Sequence, residues 1–263
     1  MAFRSKNFAR VLLLSCSALS LSVPARAQGK PDCPSLPDAG RLQNELRAVV
    51  KEGAKENSGL GNQEWAVVVN RDGIVCSIVY SGTERGQQWP GSRVIAAEKA
   101  STANALSTSD YALSTANLFA ASQPGQSLYS LTTSAPPNAM AVFGPATSFG
   151  TSNDPMVGKA IGGVIVFGGG LALYHNGKII GGLGLSGDTS CADHIMAWKV
   201  RHKLQLDSVS MGPSPEHNDN MILDWANNSS PSGFGHPTCK GGNPPGDIVK
   251  SLSKDFPTGA KPQ

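Results

Sequence analysis

Two residues, Asn176-Gly177, constrain the sequence more than any others. They stand between two apolar runs, LALYH and KIIGGLGLS, and an Asn-Gly pair in that setting is the strongest short-range signal of a tight turn with both central residues at positive φ. The second run is therefore the returning arm of a hairpin. This matters because the same run ends in GLGLSG, residues 182–187, which reads as G-x-G-x-x-G ahead of a helix-like segment, with Asp207 about twenty residues on. A dinucleotide-binding loop needs a right-handed crossover to a parallel strand and repetition of that unit, yet here the strand belongs to a hairpin and only about 55 residues with few apolar runs follow the helix. Gly181, Gly182, Gly184 and Gly187 read instead as positions where a strand approaches a small-residue helix and turns tightly into the next element. Ser186-Gly187-Asp188-Thr189-Ser190 retains one ligand-related reading. Free N–H groups opening a helix suit a carboxylate or propionate, unless Asp188 or Ser190 caps them itself.

Residues 1–27 read as a secretory signal peptide. Arg4, Lys6 and Arg10 precede VLLLSCSALSLSV, an apolar run too short to span a bilayer, and Ala25-Arg26-Ala27 offers a cleavage site. Leu13-Leu14-Ser15-Cys16 resembles a lipoprotein box, but too few apolar residues precede Cys16 to form a signal core. Cleavage near Ala27 removes four basic residues and no acids, so the formal charge falls from +3 to about −1. No basic run remains to suggest nucleic acid, and no later segment has the roughly 18 apolar residues of a membrane helix. The expected location is periplasmic or secreted. Cys33, Cys76, Cys191 and Cys239 survive cleavage, and an even number in an exported chain predicts disulfides with three pairings open. Cys239 is expected to staple the tail to Cys191 or to Cys33.

The order of elements predicts a domain over residues 28–207 and a Pro/Gly-rich extension over 208–263. Asp38 caps a helix over about 39–55, with Leu42, Leu46, Val49 and Val50 on one stripe. EWAVVVNRDGIVCSIVY reads as a hairpin, and Ser92 opens a small-residue helix that continues to Ala121, with Ala96, Ala100 and Ala103 on one face. Residues 123–162 form a long lid-like connection with one short helix. Residues 162–186 read as three strands, and 190–204 as a helix.

With these elements in place, residues 40–205 resemble the GlcG/HbpS-like haem-binding proteins, a family that includes the C-terminal domain of PduO-type proteins. The resemblance rests on GGVIVFGGGLALYHNGKIIGGLGLSGDTSCADHIMAWKVR, with its Gly-Gly before a strand, N-G-K hairpin, G-x-x-G-x-S-G and following acid. It rests also on SRVIAAEKASTANALS, where Ala96, Lys99, Ala100, Thr102 and Ala103 match the family's A-x-x-K-A-x-T-A helix. The resemblance implies an α/β domain of the α+β type, an antiparallel sheet with helices packed on its faces, and a homo-oligomer. It also implies haem or a related tetrapyrrole, or another small anionic ligand, as the bound group. The long connection, the four cysteines and the tail depart from the family pattern.

Haem iron takes an axial His, Met, Tyr or Cys in a largely apolar pocket. His194, with Trp198 one turn on, is the candidate metal ligand; as a helix-surface residue it is otherwise an ordinary polar side chain. Lys99, at a family position that faces the pocket, is a charge partner for a ligand carboxylate or else a snorkelling surface lysine. Thr102, Ser186 and Gly187 complete the candidate cofactor-binding set. Asp193 either holds His194 or Lys99 or, more simply, favours its helix N-terminus. His175 reads as a solvated turn residue, while His217 and His236 lie in the tail. No G-x-S-x-G or H-E-x-x-H occurs and no catalytic residue is assigned. The alternative function is an enzyme acting on a small carboxylic acid, in glycolate-type metabolism or hydrolysis, through Lys99 and the Ser186–Ser190 turn.

Overall fold

The structure is a computed structural model that describes residues 32–240 and 244–259; residues 1–27, read above as a signal peptide, lie outside them. Seven α-helices and four strands, with short 3-10 turns between them, follow in the order α1 (Ala39–Val50), α2 (Ala54–Asn57), β1 (Trp65–Asn70), β2 (Val75–Tyr80), α3 (Ser92–Ala105), α4 (Leu131–Ser134), α5 (Ala139–Val142), β3 (Gly170–His175), β4 (Lys178–Ser186), α6 (Ser190–Lys203) and α7 (Gly246–Asp255) among the described residues. The strands form one fully antiparallel sheet in the order β2-β1-β4-β3. Asn176 and Gly177 sit at φ 50° and 73°, the backbone their hairpin requires.

Strand alternation sorts the side chains into two cores. Ala66, Val68, Leu171, Leu173, Leu183 and Leu185 meet Leu42, Leu46 and Val49 of α1 and Ile195, Met196 and Val200 of α6. Trp65, Val67, Val69 and Ile78 point the other way, toward Ala96, Ala97 and Ala100 of α3. The glycine motif belongs to this second face. A Cβ on Gly184 would lie 2.0 Å from the Ala96 carbonyl oxygen, and one on Gly182 would lie 2.2 Å from that of Ala100. The motif is thus a seat for a helix backbone, as the hairpin context requires. Gly184→Ala is expected to lose about 1–3 kcal/mol through overpacking, measured by thermal unfolding. An unchanged melting temperature would show that α3 does not rest on β4.

Four sequence expectations are corrected. The run 162–167 forms no strand: Gly162 and Gly163 both take positive φ, and Gly169 does so again at 115°. The Ile165 N–H instead donates to Thr102 Oγ1. Helix α3 stops at Ala105 rather than reaching Ala121, because Ser107 Oγ closes a turn onto Leu113 and the Arg71 guanidinium takes the Asn104 and Ser107 carbonyls. Helix α1, which Asp38 does cap, ends at Val50 ahead of Gly53 at φ 91°. The 123–162 connection carries two short α-helices and a 3-10 turn at Ala146–Ser148, not one helix.

The C-terminal segment lies across α6. Met221, Val249 and Leu252 join the first core, and Phe256 packs beside it. Two disulfides, Cys33–Cys76 and Cys191–Cys239, fix the lead-in to β2 and the tail to α6, so Cys239 takes Cys191 of the two partners left open.

Candidate functional site

Lys99 leaves the middle of α3 and is completely buried, neither snorkelling nor free for a ligand. Its ammonium donates to Asp193 Oδ2 at 2.5 Å and to the Leu185 carbonyl at 2.9 Å, and lies 5.0 Å from the Phe167 ring centre. The partner reading of Asp193 therefore prevails over the simple dipole one. Asp193 Oδ1 accepts from the Asp188 N–H at 2.9 Å. Asp188 in turn accepts from the N–H groups of Leu60, Asn62 and Thr189.

Sequence reading missed Glu64, the acid just before β1. Its carboxyl is fully buried and no N–H or O–H of the described residues donates to either oxygen; the group it faces is the Asp193 carboxylate, to which it donates only when protonated. Burial first, and the Asp193 charge second, hold its pKa well above the ordinary carboxyl range. Burial raises Asp193 as well, against the pull of the Lys99 ammonium. The cluster is best described as a Lys99–Asp193 ion pair beside a protonated Glu64. Ser186 and Gly187 flank it: Ser186 is buried opposite Trp65 in the sheet, and Gly187 packs on Gln63 and Glu64. The N–H groups of Asp188, Thr189, Cys191 and Ala192 at this turn already donate within the protein. Thr189, rather than Asp188 or Ser190, caps α6, while Cys191 N donates to Cys239 Sγ.

His194 and Trp198 are not at a helix surface. Both are buried by the C-terminal segment, their rings 6.2 Å apart. His194 Nε2 accepts from the Met221 N–H at 3.1 Å and lies 3.3 Å from Asn220 Oδ1, while its Nδ1 has no partner among the described residues. Trp198 donates to the Phe256 carbonyl. Arg201, one turn further, makes a bidentate pair with Asp219 at 2.6 and 2.7 Å. Thr102 faces a different direction again, donating to the Glu98 carbonyl and accepting from Ile165 N. The structure thus brings Lys99, Ser186 and Gly187 to one buried cluster, places His194 and Trp198 under the tail, and leaves Thr102 with neither.

Burial lowers His194 to about 3 and His236 to about 4 from the ordinary 6.5. Both therefore favour the fold as neutral rings, a contribution fully present above pH 6.5 and lost as the pH falls toward 4. Glu64 acts with the opposite sign, its contribution fading as the pH rises. His194→Gln is expected to flatten the fall of urea stability between pH 6.5 and 4. Equal slopes in both proteins would mean that the ring reaches water.

A separate groove of about 800 Å³ lies along the edge strand β2. Leu36, Pro37, Ala39, Ile78 and Val157 give it apolar walls and Asp38 a negative one; among the described residues no His, Met or Tyr lines it. Its volume suits a small organic ligand.

Comparison with known proteins adds the following. The family model "Haem degrading protein HbpS-like" matches residues 44–201. No curated protein matches significantly. Among solved structures, Klebsiella pneumoniae protein ORFY is 24% identical over 64% of this chain and 90% of its own, with a TM-score of 0.42. PduOC in its haem complex is 24% identical over 61% of this chain and 89% of its own, at a TM-score of 0.41. HbpS is 17% identical over 62% and 86% respectively, at 0.35.

Proposed function

The chain belongs to the HbpS-like family, and from that premise we propose that it is an exported protein that binds haem or a related tetrapyrrole. The family match, spanning α3, the β3–β4 hairpin and most of α6, carries this reading. Two disulfides support export, since such bonds persist in oxidising compartments.

The residues singled out on the sequence do not fit haem as they are packed. An axial ligand needs a ring nitrogen open to the iron and room for a macrocycle around it. His194 has an unpartnered Nδ1, but Asn220, Met221 and Trp198 close over the ring. Lys99 pairs with Asp193 and has no charge left for a propionate. No step is assigned to these residues. Haem binding in this packing uses a surface that the sequence did not mark. The β2 groove has the volume and apolar walls for a macrocycle, but among the described residues no His, Met or Tyr lines it. Its Cys33 and Cys76 are joined in a disulfide, so it holds a tetrapyrrole by its faces and not through an axial bond from those residue types.

Hemin titration of residues 28–263 at micromolar protein tests the proposal. A saturable Soret shift is the expected result; its absence would remove the haem reading. His194→Ala is expected to leave that spectrum unchanged, and a lost band would show that the tail opens to admit the ligand.

A further inference from the structure

We propose that reduction of the Cys191–Cys239 disulfide uncovers a metal site of the Cys₂His type, made by Cys191, Cys239 and His236 and suited to a thiophilic divalent ion such as zinc. One ligand atom from each of the three residues lies within 4.8 Å of the other two. Zinc–sulfur and zinc–nitrogen bonds of about 2.3 and 2.0–2.1 Å in a tetrahedron separate neighbouring ligand atoms by about 3.5–4 Å. Small side-chain rotations therefore convert the present arrangement into a coordination shell.

The surroundings favour thiolate and neutral imidazole, the forms a metal binds. Cys191 sits in the first turn of α6, and its N–H donates to Cys239 Sγ at 3.1 Å; Ser190 Oγ lies 3.3 Å from the same sulfur. Helix N-terminal donors of this kind stabilise thiolate. The His236 ring is buried and held at both nitrogens, Nδ1 by the Pro237 carbonyl at 2.7 Å and Nε2 by the Gly168 N–H at 3.4 Å. On binding, one nitrogen exchanges its protein partner for the ion while the other keeps its own, the arrangement that orients a ligating imidazole. Two thiolates neutralise a divalent ion, so no net charge is buried. With three protein ligands, a fourth position remains for Ser190 Oγ or water.

Each sulfur serves either the disulfide or the ion, so metal loading is gated by redox state. A small dithiol supplies two electrons and two protons to the Cys191–Cys239 bond and itself becomes a disulfide. The ion then displaces the two thiol protons into solvent. Among the described residues no second group of this kind occurs, and Cys33–Cys76 has no such histidine. That bond is a built-in control.

The test uses residues 28–263 reduced with a phosphine, which does not compete as a thiol ligand, and titrated with Co²⁺. Expected are a thiolate-to-cobalt charge-transfer band and an intense tetrahedral d–d band saturating at one equivalent, both displaced by one equivalent of Zn²⁺ and absent from the oxidised protein. Far-UV circular dichroism follows the fold of each sample. The double variant Cys33→Ser/Cys76→Ser should keep both bands, Cys191→Ser/Cys239→Ser should lose both, and His236→Ala should weaken Co²⁺ binding about tenfold or more. No band in the reduced protein, folded or not, overturns the proposal. So does a band that depends on Cys33 and Cys76, or one that His236→Ala leaves intact.

Discussion

Lys99→Met is expected to lower the stability of this protein by about 3–5 kcal/mol, the loss typical of breaking a buried ion pair from one side. Methionine fills much of the lysine's volume, so the effect isolates the charge. What remains is Asp193, fully desolvated and stripped of its ammonium partner, beside the buried Glu64 carboxyl. The Leu185 carbonyl loses a donor as well. Urea unfolding at neutral pH measures the loss. Its pH dependence then separates a charge effect from a packing effect. In the variant the Lys99 ammonium no longer opposes the burial that raises Asp193, and only the hydrogen bonds from the Asp188 N–H and Glu64 do, so the penalty is present at neutral pH and shrinks as the pH falls and the carboxyl protonates. Lys99→Met/Asp193→Asn is expected to recover part of the stability at neutral pH, because no ionised group is left behind. A loss under about 1 kcal/mol, independent of pH, would mean that Lys99 behaves as an exposed lysine whose pair is screened by solvent.

This cluster also marks where sequence reading stops. The hairpin at Asn176-Gly177 was legible because a two-residue turn is a local requirement on φ, and Gly182 and Gly184 followed from it once their strand had been placed. The Asp38 cap was local too. By contrast, Glu64, Lys99 and Asp193 come from three separate elements, and no spacing in the sequence announces that they converge. The same distinction explains the error over 162–167. Val164, Ile165 and Val166 suit a strand by composition, yet glycines at positive φ before and after them turn the backbone away from ladder geometry. The burial of His194 was invisible for another reason. Met221, Val249, Leu252 and Phe256 are scattered among Pro, Gly and polar residues, so the segment that covers α6 shows neither helical nor strand periodicity over most of its length.

Arg201→Met tests that cover directly and is expected to cost about 3–5 kcal/mol. Arg201 and Asp219 are both fully buried, and their two-bond pairing joins the last turns of α6 to the tail immediately before Asn220 and Met221, the residues that close over His194. Loss of the guanidinium leaves the Asp219 carboxylate desolvated, and the least costly relief is for residues 218–223 to move outward into water. Amide hydrogen exchange in that stretch should therefore rise more than in β1 or β4. The imidazole of His194, read by NMR, should titrate upward from about 3 toward 6.5 as water reaches it. Arg201→Lys should fall between the two proteins, since an ammonium cannot reproduce the planar double contact. Arg201→Met/Asp219→Leu should regain most of the stability, because no charge is stranded. If exchange rises uniformly over the whole chain while His194 stays near 3, Arg201 supports the core and not the cover. The variant also decides how His194 relates to haem. A closed tail denies the ring to a macrocycle, so a hemin spectrum that becomes sensitive to His194→Ala only in the Arg201→Met background would identify the tail as what separates this chain's buried histidine from its ligand.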